Sequence, residues 1–260
     1  MKQAHCIYQN DDHRWLAIAR DPTKPGYLID TNEYVVMDGE QALLCDPGGI
    51  EIFPAVFSAL SAECDPTKLA GIFASHQDPD IISSLALWLE FKPDLKCYTS
   101  WLWQSFLPHF GGSESTFVPI PDPGMTIRLG SLELQAIPAH YLHSSGNHHL
   151  YDPKAKILFS GDVGAALLPP DQGGLYVEDF TRHIRHALQD KAQISLAELI
   201  EAQPLQHGLA ELVAYLQLGS DVFSAVVDEE SPEPIAWQAI TAAGDPVTRT
   251  ARLPRVTCCT

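Results

Sequence analysis

The sequence predicts an α/β fold in which two layers of β-sheet lie between helices on both outer faces. Three features favour this arrangement: an early hairpin, a strand–loop–helix–strand unit after it, and a later return of the strand pattern. Strands that alternate with helices favour parallel pairing with the helices outside the sheet. We therefore expect one domain with a double layer of sheet.

The early hairpin is indicated by residues 34–37 and 42–45, two apolar runs joined by a turn at Asp38-Gly39. Asp-Gly supplies the positive φ angles that a tight antiparallel turn needs. The second run ends in the sharp turn that begins at Asp46. A helix over 53–61 follows, because its apolar residues recur at helical spacing.

The strand–loop–helix–strand unit begins with the continuous apolar run 69–74, which is typical of a strand buried on both faces. A polar loop over 75–80 follows, and then a helix is predicted over 81–91, stopped by Pro93. A second strand is predicted over 95–99. This order favours two parallel strands.

The second half repeats the strand pattern. Runs 125–129 and 132–137, joined by Gly130-Ser131, predict another hairpin, and 156–160 predicts a strand that ends at Gly161-Asp162. Helical patterns follow over 180–188, 196–202 and 209–218. Residues 1–220 are thus expected to form the main domain, to which 221–260 add a hairpin and tail.

Composition excludes several classes of partner. The 260-residue chain carries 16 basic against 33 acidic residues, a net charge of −17. Nucleic acids and anionic membrane surfaces bind basic faces, so neither is an expected partner. The N-terminus has no apolar stretch typical of a signal peptide, and six scattered cysteines without a Cys-x-x-Cys pair indicate reduced thiols. We expect a cytoplasmic protein that does not enter membranes.

Polar residues follow the predicted strands: Asp46, the loop His76-Gln77-Asp78-Pro79-Asp80, a loop with four histidines over 140–149, and Asp162. A later His207-Gly208 lies between helical stretches. Ligands collect beyond the carboxyl ends of strands, and histidines with carboxylates are the ligands of catalytic metals. The pattern therefore predicts a metal site.

Each residue also has a simpler interpretation. Asp78 before Pro79 suits a helix N-cap, and Asp46 and Asp162 suit turns. An isolated His76 is more often a hydrogen-bonded histidine, His148-His149 would be solvated loop residues, and His207 would suit a helix end. The combination in this order favours the metal site.

The sequence motifs around these residues resemble those of the metallo-β-lactamase fold superfamily, and within it those of the di-iron domain of flavodiiron proteins. They are most similar to those of the stand-alone oxygen-binding di-iron proteins. The matching pieces, within residues 30–215, are Ser75-His76-Gln77-Asp78-Pro79-Asp80, Ala139-His140-Tyr141-Leu142-His143-Ser144-Ser145-Gly146-Asn147, Tyr151-Asp152-Pro153-Lys154, Lys156-Ile157-Leu158-Phe159-Ser160-Gly161-Asp162 and Gln206-His207-Gly208. The resemblance implies an αββα sandwich.

The resemblance also implies a ligand set for two iron ions. One iron would be held by His76, Asp78 and His143. The other would be held by Asp80 and His207, with Asp162 bridging the two. Zinc hydrolases of this fold have a second histidine where this chain has Asp78, and a carboxylate there suits iron better than zinc.

Two positions complicate this ligand set. Where the family's motif usually places a histidine after Asp80, this chain has Ile81, which cannot bind metal. The second iron would therefore be held less tightly and would present an open position to O₂ or NO. His140 is an alternative ligand that ranks below His143.

The implied function is a non-haem di-iron protein that binds O₂ or NO, as a sensor or as a partner-dependent reductase. The chain lacks sequence typical of the flavodoxin domain of flavodiiron proteins, so no FMN is expected. A redox or signalling protein would then be the partner. Tyr141 is a candidate catalytic residue that could donate a hydrogen bond to a bound oxygen species, although it could equally be a packed aromatic. Oligomeric state stays open, with a homodimer as one option.

Two alternatives remain at this point. One is a metal-dependent hydrolase of thioesters or lactones, in which a metal-bound hydroxide attacks a carbonyl. Asp78 and Ile81 weaken that alternative, so an enzymatic role would be flavodiiron-like oxidoreduction instead. The other is a degenerate fold member that binds a partner, against which six intact candidate ligands argue.

Overall fold

A computed structural model describes residues 2–21, 23, 30–140, 142–162 and 175–176, and the backbone of 235–240 and 246–251. The strands are β1 (Gln3–Asn10), β2 (His13–Ala19), β3 (Glu33–Asp38), β4 (Gln41–Cys45), β5 (Leu69–Phe73), β6 (Lys96–Ser100), β7 (Phe117–Ile120), β8 (Met125–Leu129), β9 (Leu132–Pro138), β10 (His148–Asp152), β11 (Ile157–Phe159), β12 (Ile235–Ile240) and β13 (Pro246–Ala251). The helices are α1 (Phe53–Glu63), α2 (Pro79–Ile82) and α3 (Leu85–Phe91). The predicted helices over 180–218 lie outside the described residues.

Strands β1 to β7 form one seven-stranded sheet within the described part of the chain, in sequence order. The first four strands pair antiparallel as hairpins, whereas β4 to β7 pair parallel. The hairpin of β3 and β4 is confirmed, but Asp38 pairs with Gln41, so the turn residues are Gly39 and Glu40. The Asp38 carboxylate instead accepts a hydrogen bond from the backbone of Ser131 in the β8–β9 turn.

The single helix predicted over 81–91 is wrong, because two short helices, α2 and α3, replace it. The break falls at Ser83 and Ser84, which bind the loop after β4. Ser84 donates from its hydroxyl to the Pro47 carbonyl at 3.1 Å, and Ser83 accepts from the Ile50 backbone at 3.0 Å. These bonds fix the position of the loop that carries Asp46, an effect that helix periodicity does not report.

A second sheet, in the order β11-β10-β9-β8, is antiparallel throughout. It packs on one face of the first sheet, and the helices pack on the other. Alternate residues of β2 show this division: Leu16 and Ile18 lie in the core with the helices, whereas Trp15 and Ala17 lie in the core between the sheets. Such alternation follows from the two-residue period of a strand.

The C-terminal segment contains a separate hairpin, in which β12 pairs antiparallel with β13. The predicted hairpin in 221–260 is thus present, while the division of the chain at residue 220 stays a prediction. Among the residues that the structure describes, no helix is long and apolar enough to cross a membrane.

A buried polar contact joins the two sheets. Asp152, at the end of β10, accepts a hydrogen bond from the Trp15 indole at 2.7 Å, and its Oδ2 lies 2.6 Å from Nε2 of His13. Its other oxygen accepts from the backbone of Lys154 and Ala155 at 3.0 and 3.1 Å. Both oxygens of this buried carboxylate accept hydrogen bonds inside the protein, so removing it strands buried donors.

We expect Asp152→Ala to lower the free energy of unfolding by about 3–5 kcal/mol, because it leaves buried polar partners unpaired. Urea unfolding measures the loss. The matched control is Asp94→Ala, which removes an exposed ion pair to Lys92 and should cost less than about 1 kcal/mol. Equal losses in the two variants would contradict the role of Asp152 between the sheets.

A second buried charge cluster ties the N-terminus to the first sheet. Lys2 Nζ lies 2.9 Å from Oε2 of Glu33 and 2.6 Å from Oδ1 of Asp30. Burial raises the pKa of Glu33 to about 7, although the charge of Lys2 acts in the opposite direction. The folded protein therefore holds a proton on Glu33 more tightly than the unfolded chain, whose value is near 4.5.

Because the folded-state pKa of Glu33 is raised, its stabilising contribution is fully present below pH 4.5 and is lost as pH rises through about 7. Between pH 4.5 and 7.5 the metal-free wild type should lose about 3 kcal/mol more unfolding free energy than Glu33→Gln. Urea titrations at several pH values measure this difference. Parallel pH profiles for the two proteins would show that Glu33 does not titrate in this window.

Candidate metal centre

Four loops from both sheets meet at one edge of the molecule. Asp46 follows β4, His76 follows β5, the loop over 139–147 follows β9, and Asp162 follows β11. The backbone ties these loops together, since His148 donates to the Ser75 carbonyl at 3.0 Å and Asp46 donates to the Phe73 carbonyl at 2.8 Å. The convergence that the strand ends predicted is therefore present for these four loops.

The centre of this edge is the His–Asp cluster, formed by His76, Asp78, His143 and Asp162. Nε2 of His76 and Nε2 of His143 each lie 3.4 Å from the same oxygen, Oδ2 of Asp78. They lie 3.9 and 3.8 Å from Oδ2 of Asp162. The two imidazole rings stand edge to face with centroids 4.6 Å apart, so both direct Nε2 at the same space.

Asp78 occupies the N-cap position of α2, but its side chain makes no capping hydrogen bond. Its carboxylate lies against the two histidines and accepts a hydrogen bond from Gln77 Nε2 at 3.0 Å. Gln77 in turn accepts from the Ser144 hydroxyl at 3.1 Å, which links the β5 loop to the loop of His143. The capping interpretation is therefore wrong for this side chain.

Electrostatics at the cluster are dominated by crowded carboxylates. Interaction with His143, and then with His76, holds the pKa of Asp78 well below its usual range. Burial raises the pKa of Asp80, and the nearby charges of Asp162 and Asp78 raise it further. Burial alone would lower the pKa of His76, yet the surrounding carboxylates raise it. The site thus favours additional positive charge.

These residues fit a metal ion. Two atoms bound to one ion at about 2.1 Å lie roughly 3–4 Å apart, and each histidine Nε2 of the cluster lies 3.4–3.9 Å from an oxygen of Asp78 and of Asp162. Nε2 of His76 is buried without a well-formed hydrogen bond, and a metal would satisfy it. In the described part of the chain, His76, Asp78 and His143 are the one group of three with this geometry. Nitrogen with carboxylate oxygen suits iron, manganese or zinc.

The remaining predicted site residues have different outcomes. Asp80 lies in α2, half-buried, and contributes its charge to the cluster. Ile81 is 1% exposed, and its carbonyl accepts from the Gly48 backbone at 2.9 Å. Tyr141 and His207 lie outside the described residues, so their roles stay predictions.

His140 does not belong to the group formed by His76, Asp78 and His143. Its Nε2 is 3.5 Å from Oδ1 of Asp122, and its ring stands edge-on to His148 with centroids 5.1 Å apart. The interpretation of His148 and His149 as solvated loop residues is wrong, because both lie in β10 and are buried. Burial lowers the pKa of His149 to about 3, so it is neutral at physiological pH.

The two tryptophans after β6 differ in position. Trp101 is 50% exposed and donates to Asp122 Oδ1 at 2.6 Å. Trp103 packs partly against the helix-side core and donates to the Ser145 carbonyl at 2.8 Å. Trp103 therefore supports the loop that carries His143.

Sequence reasoning missed the contacts beneath His76. Asp46 is buried and accepts from Ser75 through both its carboxylate oxygens, and the Ser75 hydroxyl lies 2.8 Å from Nδ1 of His76. Burial raises the pKa of Asp46 to about 7, although His76 and Ser75 act to lower it. The sequence places Asp46 at the end of a predicted strand. Its partner Ser75 is 29 residues away, so the contact leaves no local sequence pattern.

Comparison with solved structures gives a consistent picture of the fold. The chain is 33% identical to the chemotaxis sensor ODP from T. denticola in its apo state, with a TM-score of 0.66, covering 84% of this chain and 83% of that one. It is equally similar in sequence, 33%, to a peroxy di-iron species of chemotaxis sensor ODP, with a TM-score of 0.61 and coverage of 83% and 82%. A mutant flavo-di-iron protein from Thermotoga maritima, 20% identical, has a TM-score of 0.63 with coverage of 86% and 55%. The predicted metallo-β-lactamase fold is confirmed.

Sequence comparison assigns the family. A 114-residue stretch is 26% identical to an uncharacterized protein from Mycolicibacterium smegmatis (strain ATCC 700084 / mc(2)155), covering 42% of this chain and only 24% of that protein. The family described as "ODP family beta lactamase" matches residues 29–193, most of the chain and all of the His–Asp cluster. This chain belongs to that family of beta-lactamase-like domains.

Proposed function

We propose that this protein is a non-haem di-iron protein that binds O₂ and acts as a sensor. The observation that carries the proposal is the convergence of two imidazole Nε2 atoms on the carboxylates of Asp78 and Asp162 within 4 Å. Likeness to the ODP chemotaxis sensor, 33% over most of both chains, supports the choice of O₂ and of a sensing role.

Six side chains hold the two irons in this proposal. One iron is bound by His76, Asp78 and His143, the other by Asp80 and His207, and Asp162 lies between them. The anionic carboxylates offset the charge of the two cations, which explains why so many acids share one edge of the molecule. Ferrous ions, when bound, supply the electrons that make the site reactive toward O₂.

The protein's own residues perform three tasks. His76 is fully buried, and the loop bonds through Gln77 and Ser144 keep Asp78 and His143 oriented toward each other. Ile81 offers no donor atom, which leaves the second iron with fewer protein ligands. Tyr141 is proposed to donate a hydrogen bond to the bound ligand.

Downstream of O₂ binding, we propose a signalling protein as partner. A reductase would need a supply of electrons from a redox partner, and a sensor needs only a change that a partner reads. NO binding at the same open position is part of the proposal, because NO and O₂ favour the same ferrous site.

Anaerobic iron titration followed by exposure to air tests the proposal. We expect two irons per chain and a visible iron–oxygen charge-transfer band that appears on addition of O₂. His143→Ala should weaken iron binding by more than about tenfold, because loss of even an outer partner of a metal ligand costs about 10–100-fold. His140→Ala is the matched control and should retain wild-type affinity.

A colourless zinc protein that turns over thioesters or lactones would contradict this function and favour the hydrolase. Equal iron loss in His140→Ala and His143→Ala would contradict the assignment of His143 as a ligand.

Ile81→His should increase retention of the second metal, since it restores a donor beside Asp80. Equilibrium dialysis against a chelator measures the metal-to-protein ratio. Ile82→His is the matched control, because Ile82 is equally buried but lies in the helix-side core. An equal gain in metal retention in both variants, or no gain in either, would contradict the idea that residue 81 limits metal binding at the second site.

A further inference from the structure

His76 is connected through Ser75 to a buried carboxylate. Nδ1 of His76 lies 2.8 Å from the Ser75 hydroxyl, and that hydroxyl donates to Oδ2 of Asp46 at 2.6 Å. Oδ1 of Asp46 accepts from the Ser75 backbone at 2.7 Å. Asp46, Ser75 and His76 are 3%, 1% and 0% exposed, so water does not compete for these bonds.

With an ionised Asp46 carboxylate, counting protons fixes the direction of each bond. A serine hydroxyl has one proton, and here Asp46 receives it. The bond between Ser75 and His76 must therefore use the proton on Nδ1 of the imidazole. A neutral histidine with its proton on Nδ1 has a free lone pair on Nε2, the atom that points into the His–Asp cluster.

We propose that Asp46 and Ser75 are positioning residues that hold His76 in the tautomer able to bind metal through Nε2. The proposal rests on the proposed function, in which His76 is a metal ligand. Outer partners of this kind commonly orient metal-bound histidines and raise their basicity.

The local backbone is built around this connection. Asp46 adopts φ of 48°, a left-handed conformation that non-glycine residues rarely take. Gly161, directly before Asp162, has φ of 57°, and a Cβ there would lie 2.5 Å from the Ser75 hydroxyl. The strand end that carries Asp162 can thus approach Ser75 only with glycine at 161. Ser75 thus lies close both to His76 and to the residue that precedes Asp162.

Asp46→Asn preserves the shape of the side chain but reverses the donor and acceptor roles in the hydrogen bonds that lead from residue 46 through Ser75 to His76. The amide oxygen can still accept from the Ser75 backbone, which leaves the NH₂ group to donate to the Ser75 hydroxyl. Ser75 would then donate its own proton to Nδ1 of His76. This bonding favours the proton on Nε2, where it blocks the metal.

Cobalt(II) binding, measured by competition with a chelator, tests the proposal in the full chain. We expect Asp46→Asn to lose about 10–100-fold in cobalt affinity. Ser75→Ala should also lose affinity. Adding Asp46→Asn to Ser75→Ala should have little further effect, because the path from Asp46 to His76 is already broken.

The double variant distinguishes an effect of Asp46 through its hydrogen bond to Ser75 from an effect of its negative charge alone. If Asp46 acts only by its negative charge, Asp46→Asn will weaken cobalt binding equally with and without Ser75, and that result would overturn the proposal. Unchanged affinity in both Asp46→Asn and Ser75→Ala would also overturn it. Failure of the wild type to bind metal would instead refute the proposed function.

Two further measurements exclude a merely structural role. Histidine ¹⁵N NMR of the metal-free protein in alkaline buffer should show the Nδ1–H tautomer of His76 in the wild type and the Nε2–H tautomer in Asp46→Asn. Asp152→Asn, which alters a buried carboxylate at the other end of β10, should lower stability but keep wild-type cobalt affinity. If Asp46→Asn does not fold, Ser75→Ala alone decides: an unchanged His76 tautomer and affinity would overturn the proposal.

Discussion

The structure depends on the close approach of two imidazoles and two carboxylates that belong to three different loops. Nε2 of His76 and Nε2 of His143 each lie within 4 Å of a carboxylate oxygen of Asp78 and of Asp162, at an edge where Asp80 adds further negative charge. Carboxylates that surround the same pair of imidazoles repel each other unless a cation or proton lies between them. The scaffold must therefore hold the loops against that repulsion before metal arrives, and metal binding would in turn stabilise the fold.

Rigidity comes from contacts that lie away from the donor atoms. The first sheet has a helix-side core and a sheet-side core, so the ends of β4 and β5 are fixed from both faces. Ser84 fastens the loop of Asp46 to the start of α3, and Trp103 fastens the loop of His143 to the turn after β6. Asp152 locks the second sheet to the first at the opposite end of β10. The loops that carry Asp46 and His143 thus each have their own support.

Asp78, Asp80 and Asp162 give the site its acidic character, while most of the net charge of −17 lies elsewhere. A sensor and an efficient enzyme can bind O₂ in the same way. They differ in how quickly the site is reduced again after O₂ has bound. In the proposed di-iron site, Ile81 is a buried apolar residue where a donor side chain would strengthen binding of the second metal. A site that binds O₂ without rapid re-reduction suits signalling, and the proposed hydrogen-bond path from Asp46 through Ser75 would set the basicity of His76.

The sequence by itself determined which residues follow which strands. Period-two and period-3.6 patterns located the β3–β4 and β8–β9 hairpins, α1 and the parallel β5–β6 pair, and the motif text located His76, Asp78, His143 and Asp162. These features are local, so a short window of residues specifies them. The break between α2 and α3, the burial of His148 and His149, and the use of Asp78 as something other than a cap were decided only in three dimensions. So was the pairing of Asp46 with Ser75. For the helix break, Asp78 and Asp46, the deciding partner is a polar group far away in sequence, and a hydrogen bond of that kind depends on tertiary packing rather than on any pattern along the chain.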